Sequence, residues 1–148
     1  EAIVPVLEEV LGYRRIDSID GHFLYQRDGQ RRAGLLEVRL DMDDWARSGV
    51  GTVHHIAFSA RDEEEQLELQ RRVLGFGLRP TQVIDRYYFK SVYFQTPAGI
   101  LFEIATEGPG FTADEDINHL GETLALPPFL EERRVEIEKG LPLIHITR

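Results

Sequence analysis

Apolar residues open the chain at helical spacing: Ile3, Val6, Leu7, Val10 and Leu11, with Gly12 as a stop signal. The pattern predicts a helix over residues 2–11. The period then falls toward two, and three strands are expected over 13–18, 21–27 and 35–40, parted by the turn pairs Asp20 with Gly21 and Asp28 with Gly29. Residues 41–50 read as a polar connector. A β-rich run starts at Gly51, and a charged amphipathic helix follows over 62–74. Its apolar members are Leu67, Leu69, Val73 and Leu74, and Gly75 ends it. Further strands are expected over 78–83, 87–96 and 100–106, with Pro97, Ala98 and Gly99 turning between the last two.

The two rounds echo each other. Leu11, Gly12 and Tyr13 answer Leu74, Gly75 and Phe76, while Leu36, Glu37 and Val38 answer Phe102, Glu103 and Ile104. Matched landmarks in one order point to duplication of a βαβββ unit. The expected fold class is α+β, with βαβββ modules forming a strongly curved mixed sheet and helices on its convex side. Residues 1–40 form an incomplete first module whose opening strand is expected upstream of Glu1. Residues 41–50 connect it to a complete module over 51–107. The remainder, 108–148, reads as a helical tail. In it Thr112 is placed to cap a helix with Glu115 three residues on, and Pro127 and Pro128 precede a helix over 129–139.

Composition narrows the chemistry. The 148 residues are 42% hydrophobic, enough for a core, and no apolar run nears the roughly 20 residues that span a bilayer. There is no cysteine, so disulfides and thiolate metal sites are excluded, and any metal must be held by histidine and carboxylate. Absence of disulfides suits a cytoplasmic location. A formal charge of −9 repels phosphate backbones, so nucleic acid is not an expected partner, nor is a membrane. The chain begins at Glu1, directly in a helical pattern, which suggests part of a longer protein.

Candidate chemistry lies in the second round. On a strand, His54 and His55 should point to opposite faces, His55 with the small residues Ala57 and Ser59, and His54 with Ile56 and Phe58. Glu103 shares its face with Leu101 and Ala105, while Phe102 and Ile104 lie on the other. A carboxylate within an apolar strand is costly to bury unless a cation or a donor neutralises it. Two readings stand: His55 and Glu103 as ligands of one metal, or as hydrogen-bonded residues with no ion.

The runs GTVHHIAF at 51–58, DRYYFKSVYF at 85–94, PAGILFEIAT at 97–106 and PGF at 109–111, with Asp114 and Glu115, resemble the C-terminal half of glyoxalase-family ring-cleaving dioxygenases, including the hydroquinone-cleaving type. The tail resembles them too, at Leu120, Gly121, Leu126, Pro127, Pro128, Glu131, Leu141 and Pro142. The match covers most of residues 1–145 and is dense from 51 to 128. It departs at Gln95, Thr96 and Ala98, where the family more often has arginine, glutamate and glycine.

The resemblance implies that His55 and Glu103 are metal ligands, with His54 just outside the coordination sphere and Arg86 and Tyr93 on the substrate side. It implies Fe(II), with Mn(II) as the close substitute, and a dihydroxylated aromatic and O2 as reactants. A third ligand, another histidine, belongs to the family's N-terminal portion, so His22, His119 and His145 are not expected to supply it. The chain alone is therefore expected to be inactive, to need that N-terminal part as partner, and to self-associate as a homodimer or larger assembly through the surface that part would cover. A lyase or isomerase of the same superfold, and a metal-free binding module, remain as other readings, since fold alone does not separate them.

Overall fold

A computed structural model describes residues 2–27, 34–40 and 49–142. The chain divides into two compact units, Glu1–Gly108 and Pro109–Arg148. The first opens with a helical turn at Val4 and Pro5 that continues as a π-helix over Val6–Val10, where the Leu11 amide reaches back to the Val6 carbonyl at 3.1 Å. Gly12, at φ +73°, ends it in a conformation that a Cβ disfavours. Val6, Leu7, Val10 and Leu11 are all buried, as their spacing predicts.

Three antiparallel strands follow, β1 (Arg14–Ile19), β2 (His22–Gln26) and β3 (Leu35–Arg39). The Asp28 and Gly29 turn and the 41–48 part of the connector lie outside the described residues. The second round gives β4 (Ile56–Ala60), α1 (Glu63–Gly75), β5 (Ile84–Asp85), β6 (Lys90–Gln95) and β7 (Leu101–Thr106). Here β4 pairs parallel to β7, β7 antiparallel to β6, and β6 antiparallel to β5. Instead of one continuous sheet, the described strands form two: the antiparallel β1-β2-β3 and the mixed β4-β7-β6-β5. No described strand of the first round occupies the place that β4 takes beside β7.

One core joins the rounds. Phe58, Phe102, Ile104, Val92 and Phe94 pack with Leu69 and Val73 of α1, and in the same cluster lie Val6, Leu7, Tyr13 and Tyr25 of the first round. Tyr13 meets Phe58 edge-on at 6.1 Å. The apolar parity read from β4 and β7 therefore holds: Phe58, Phe102 and Ile104 face the helix, and the opposite face carries the candidate chemistry.

Several expectations are corrected. The strand at 51 starts only at Ile56, because its partner β7 begins at Leu101, just after the chain turns at Gly99 (φ +77°), and leaves earlier residues almost no ladder. Residues 78–83 are not a strand. Pro80 has no amide to give, and the segment is held instead through Thr81, whose amide donates to the Tyr93 carbonyl at 2.8 Å while its hydroxyl accepts from the Tyr93 amide at 3.0 Å. On α1, Leu67 and Leu74 are exposed, and the buried stripe is Gln66, Leu69 and Val73.

In the second unit Thr112 sits inside a 3-10 turn, Phe111–Ala113, and Gly110 precedes that turn in the place expected for a Thr112 cap. The helix expected over 129–139 is a 3-10 turn, Pro128–Arg133, that passes into α2 (Arg134–Gly140). Among the described residues no helix is long and apolar enough to cross a membrane.

α1 is started by Asp62, whose carboxylate accepts from the Glu65 amide at 2.8 Å. Glu65 answers by accepting from the Arg61 amide at 2.8 Å and its guanidinium at 3.0 Å, and Arg27 reaches it from the first round at 3.4 Å. Burial alone would raise the Glu65 pKa, but the hydrogen bonds and charges of Arg61 and the charge of Arg27 outweigh it and hold the carboxyl below its ordinary value. A carboxylate with a depressed folded-state pKa contributes stability above its unfolded value, and that contribution is lost as pH falls through the folded one. Glu65→Gln should therefore unfold at lower urea than the parent at pH 7, and the gap should narrow as pH drops below the usual glutamate range. A gap that widens on acidification in paired urea titrations contradicts the assignment.

Candidate metal centre

β4, β7 and β6 lie side by side, so their residues share rows across the sheet. Ala57 is paired with Glu103, and Glu103 with Tyr93; one row on, Ser59 is paired with Ala105, and Ala105 with Ser91. Alternation puts all six on the face away from α1. Glu103 is 3% exposed there. A charge so enclosed needs partners, and two are present. The Ser91 hydroxyl donates to Oε1, and His55 Nε2 stands 2.8 Å from Oε2.

His55 lies just before β4, half-buried, and its neighbour His54 is exposed. The expectation that the two rings point to opposite faces is corrected. Their Nδ1 atoms are 2.9 Å apart, and the rings meet edge-on at 5.2 Å. Strict alternation belongs to a paired, extended strand, and the ladder begins only one residue after His55. The next ring is Tyr93, edge-on to His55 at 5.7 Å, and the Arg86 guanidinium lies over the Tyr93 ring at 5.6 Å. Arg86 sits on the turn between β5 and β6. That turn is fixed by the Arg86 amide donating to the Phe89 carbonyl at 2.9 Å and by Asp85, which accepts from the Tyr87 amide at 2.7 Å. Tyr87 adopts φ +72°, a costly value for a residue with a Cβ. The structure thus brings His54, His55, Arg86, Tyr93 and Glu103 into one connected group, and adds Ser91, which no sequence pattern singles out.

The other histidines are engaged elsewhere. His22 Nδ1 contacts Glu37 Oε1, and His119 Nδ1 is 3.1 Å from Glu122. His145 lies outside the described residues. Among the described residues no group of three histidine, cysteine, aspartate or glutamate side chains is placed to hold an ion. Two open cavities, of about 340 and 390 Å3, lie on the first round, beside His22 with Glu37 and beside Arg15 with Phe23. Neither is lined by the His55 group, and the buried, paired carboxylate is the stronger mark of chemistry than concavity.

The donor set fits a metal as far as it goes. Imidazole nitrogen and carboxylate oxygen suit Fe(II) and Mn(II). Neighbouring donors on roughly 2.1 Å bonds stand about 3 Å apart, and the His55 to Glu103 spacing is of that size. The two atoms that face each other, His55 Nε2 and Glu103 Oε2, are the ones a cation would use.

A family model for the Glyoxalase/Bleomycin resistance protein/Dioxygenase superfamily matches residues 1–104. The chain is 41% identical over 147 residues to a Bacillus subtilis (strain 168) protein named "Putative ring-cleaving dioxygenase MhqA", covering 95% of this chain and 46% of that protein. It is 40% identical over 112 residues to the chlorohydroquinone/hydroquinone 1,2-dioxygenase of Sphingobium indicum, covering 71% of this chain and 34% of that enzyme. A crystal structure titled "putative dioxygenase from Bacillus subtilis subsp. subtilis str. 168" superposes with a TM-score of 0.92 at 37% identity, over 99% of this chain and 47% of that one. The chain spans less than half the length of these relatives.

Proposed function

This chain belongs to the Glyoxalase/Bleomycin resistance protein/Dioxygenase superfamily, and on that premise we propose that it is the C-terminal, metal-holding part of a dioxygenase that opens the ring of a hydroquinone or catechol with O2. The observation that carries the reading is the convergence of His55 and Glu103 beside Tyr93 and Arg86, in a chain similar over nearly its whole length to proteins named as ring-cleaving dioxygenases.

His55 and Glu103 would hold the ion, as two of three protein ligands in a set of two histidines and one carboxylate, whose other histidine comes from the N-terminal part of the full-length protein. Fe(II), or Mn(II) in its place, would supply neighbouring positions for aromatic and O2 and a path for electrons between them. The net change breaks one ring C–C bond and adds both oxygen atoms of O2 to the product.

This chain's own residues do the rest. With its Nε2 lone pair committed to a cation, His55 must carry its proton on Nδ1, and that proton points at His54 Nδ1 across the 2.9 Å contact. His54 thereby fixes the tautomer and orientation of the ligand. Tyr93 presents a phenol hydroxyl to donate to a substrate oxygen, and Arg86, stacked on its ring, holds that ring in place and brings positive charge toward a phenolate.

The test is oxygen uptake by the full-length protein, loaded anaerobically with Fe(II), on hydroquinone and on catechol. Uptake of one O2 per ring lost supports the reading, while the 148-residue chain loaded in the same way should show none. Turnover of a hemithioacetal without O2 would place the protein among lyases or isomerases. Purification with no bound metal, and none taken up, would leave a binding module.

A further inference from the structure

The geometry points to Ser91 as the positioning residue of the metal-holding carboxylate: by occupying Oε1 of Glu103 it leaves a single oxygen, Oε2, free for a cation. The inference rests on the reading of Glu103 as a ligand, and its test separates the two. Ser91 is fully buried, and its hydroxyl donates to Oε1 while Oε2 faces His55 Nε2 at 2.8 Å. The two oxygens of one carboxylate thus have different partners, a fully buried hydroxyl on Oε1 and a half-buried imidazole on Oε2.

The strand register explains why residue 91 does this. Tyr93 is directly opposite Glu103, and Ser91 is opposite Ala105, so Ser91 is the diagonal neighbour of Glu103 on the same face. The first round repeats the device. Leu24 is opposite Glu37 and His22 opposite Arg39, and the diagonal residue, His22, again contacts the strand's glutamate. There both side chains are open to solvent, at 35% and 56%, and a large donor fits. In the second round the cell is closed, and serine is the smallest side chain that carries a hydroxyl donor.

The consequence for a bound ion is chemical. A carboxylate with both oxygens unoccupied can close on a cation through either or both. One whose Oε1 already accepts from a buried hydroxyl keeps its rotamer and offers one bond, which leaves the remaining positions to the two reactants. Removing such a supporting hydrogen bond typically weakens metal binding about 10- to 100-fold.

The experiment uses the full-length protein without substrate. Mn(II) affinity is read from the EPR signal of free Mn(II), and unfolding of the metal-free protein from a thermal melt. Ser91→Ala should weaken Mn(II) binding by about 10-fold or more. Ser91→Thr, which keeps the hydroxyl, should recover most of that loss. Glu103→Gln serves as the reference. If Glu103→Gln weakens Mn(II) binding and Ser91→Ala leaves it unchanged while lowering the melting temperature, Ser91 is merely structural and the inference fails. If neither variant alters Mn(II) binding, the ligand reading fails and takes this inference with it. If Ser91→Ala does not fold, Ser91→Cys decides, because a thiol of similar size is a far weaker donor: Mn(II) binding weakened about tenfold supports the role, and wild-type affinity overturns it.

Discussion

Glu103→Gln in the full-length protein should lower kcat/KM for ring cleavage at least about a thousandfold, about 4 kcal/mol of transition-state stabilisation. Glutamine is nearly isosteric. Its amide oxygen can accept from Ser91 as Oε1 does now, and its amide nitrogen can face His55, so the buried network keeps its hydrogen bonds. What disappears is the negative charge, and with it the one anionic donor of the His55 and Glu103 pair. His55→Ala should fall as far, with the added loss of the edge-on contact that seats Tyr93. Neither variant should shift the urea midpoint as much as it shifts turnover, because His55 is only half-buried and a glutamine still fills the site of Glu103. Initial oxygen-uptake rates after Fe(II) loading, set beside urea titrations, check both points. Retention of more than about a tenth of parent turnover by Glu103→Gln, a loss under about 1.4 kcal/mol, would remove this carboxylate from the metal.

The part of this site legible in the sequence is the part that obeys alternation. Phe102 and Ile104 against Leu101, Glu103 and Ala105 is a period-two pattern, and the structure keeps its parity without a slip. Glu103 stands out because a carboxylate interrupts that pattern on a strand otherwise apolar. The same rule fails at the histidine pair. Alternation assumes a paired strand, and β4 acquires its partner only at Ile56. Arg86 is placed by resemblance alone. What aims it is a turn with positive φ at Tyr87, and no local pattern announces a strained non-glycine residue.

Two small or polar residues escape the sequence for a different reason. Ser91 carries no charge and no apolar bulk, so nothing in the one-dimensional pattern marks it. Its meaning comes from a diagonal across β6 and β7, which requires the register. Gln66 is hidden by its polarity. Residues 66, 69 and 73 fall at i, i+3 and i+7, the spacing of one helix face, but the eye follows leucine, and Leu67 and Leu74 turn out to be exposed. The spacing is a usable signal: a polar residue in register with two buried apolar ones is a candidate for a buried hydrogen bond.

That glutamine supports the second large effect. Gln66→Ala should destabilise the chain by roughly 2–4 kcal/mol, a large share of the roughly 5–15 kcal/mol that holds an ordinary domain together. Gln66 is fully buried, and its Nε2 donates to the Lys90 carbonyl at 2.7 Å and the Ile104 carbonyl at 2.8 Å. One side chain from α1 thereby fastens β6 and β7 together from behind. The carbonyls it holds belong to the residues next to Ser91 and Glu103, which face the other way. Alanine removes both donors and opens a void in a close-packed layer, and the two costs add. The Oε1 atom of Gln66 has no hydrogen-bond partner among the described residues, so the wild-type residue already carries a desolvation cost there. Gln66→Met should therefore be milder than Gln66→Ala, since it fills the space and removes the unpaired oxygen, at the cost of the two donated bonds. Urea titrations of the 148-residue chain read the order directly: wild type most stable, methionine next, alanine last. An alanine variant within about 0.5 kcal/mol of wild type, the range of an ordinary surface substitution, would show that β6 and β7 hold their spacing without help from α1.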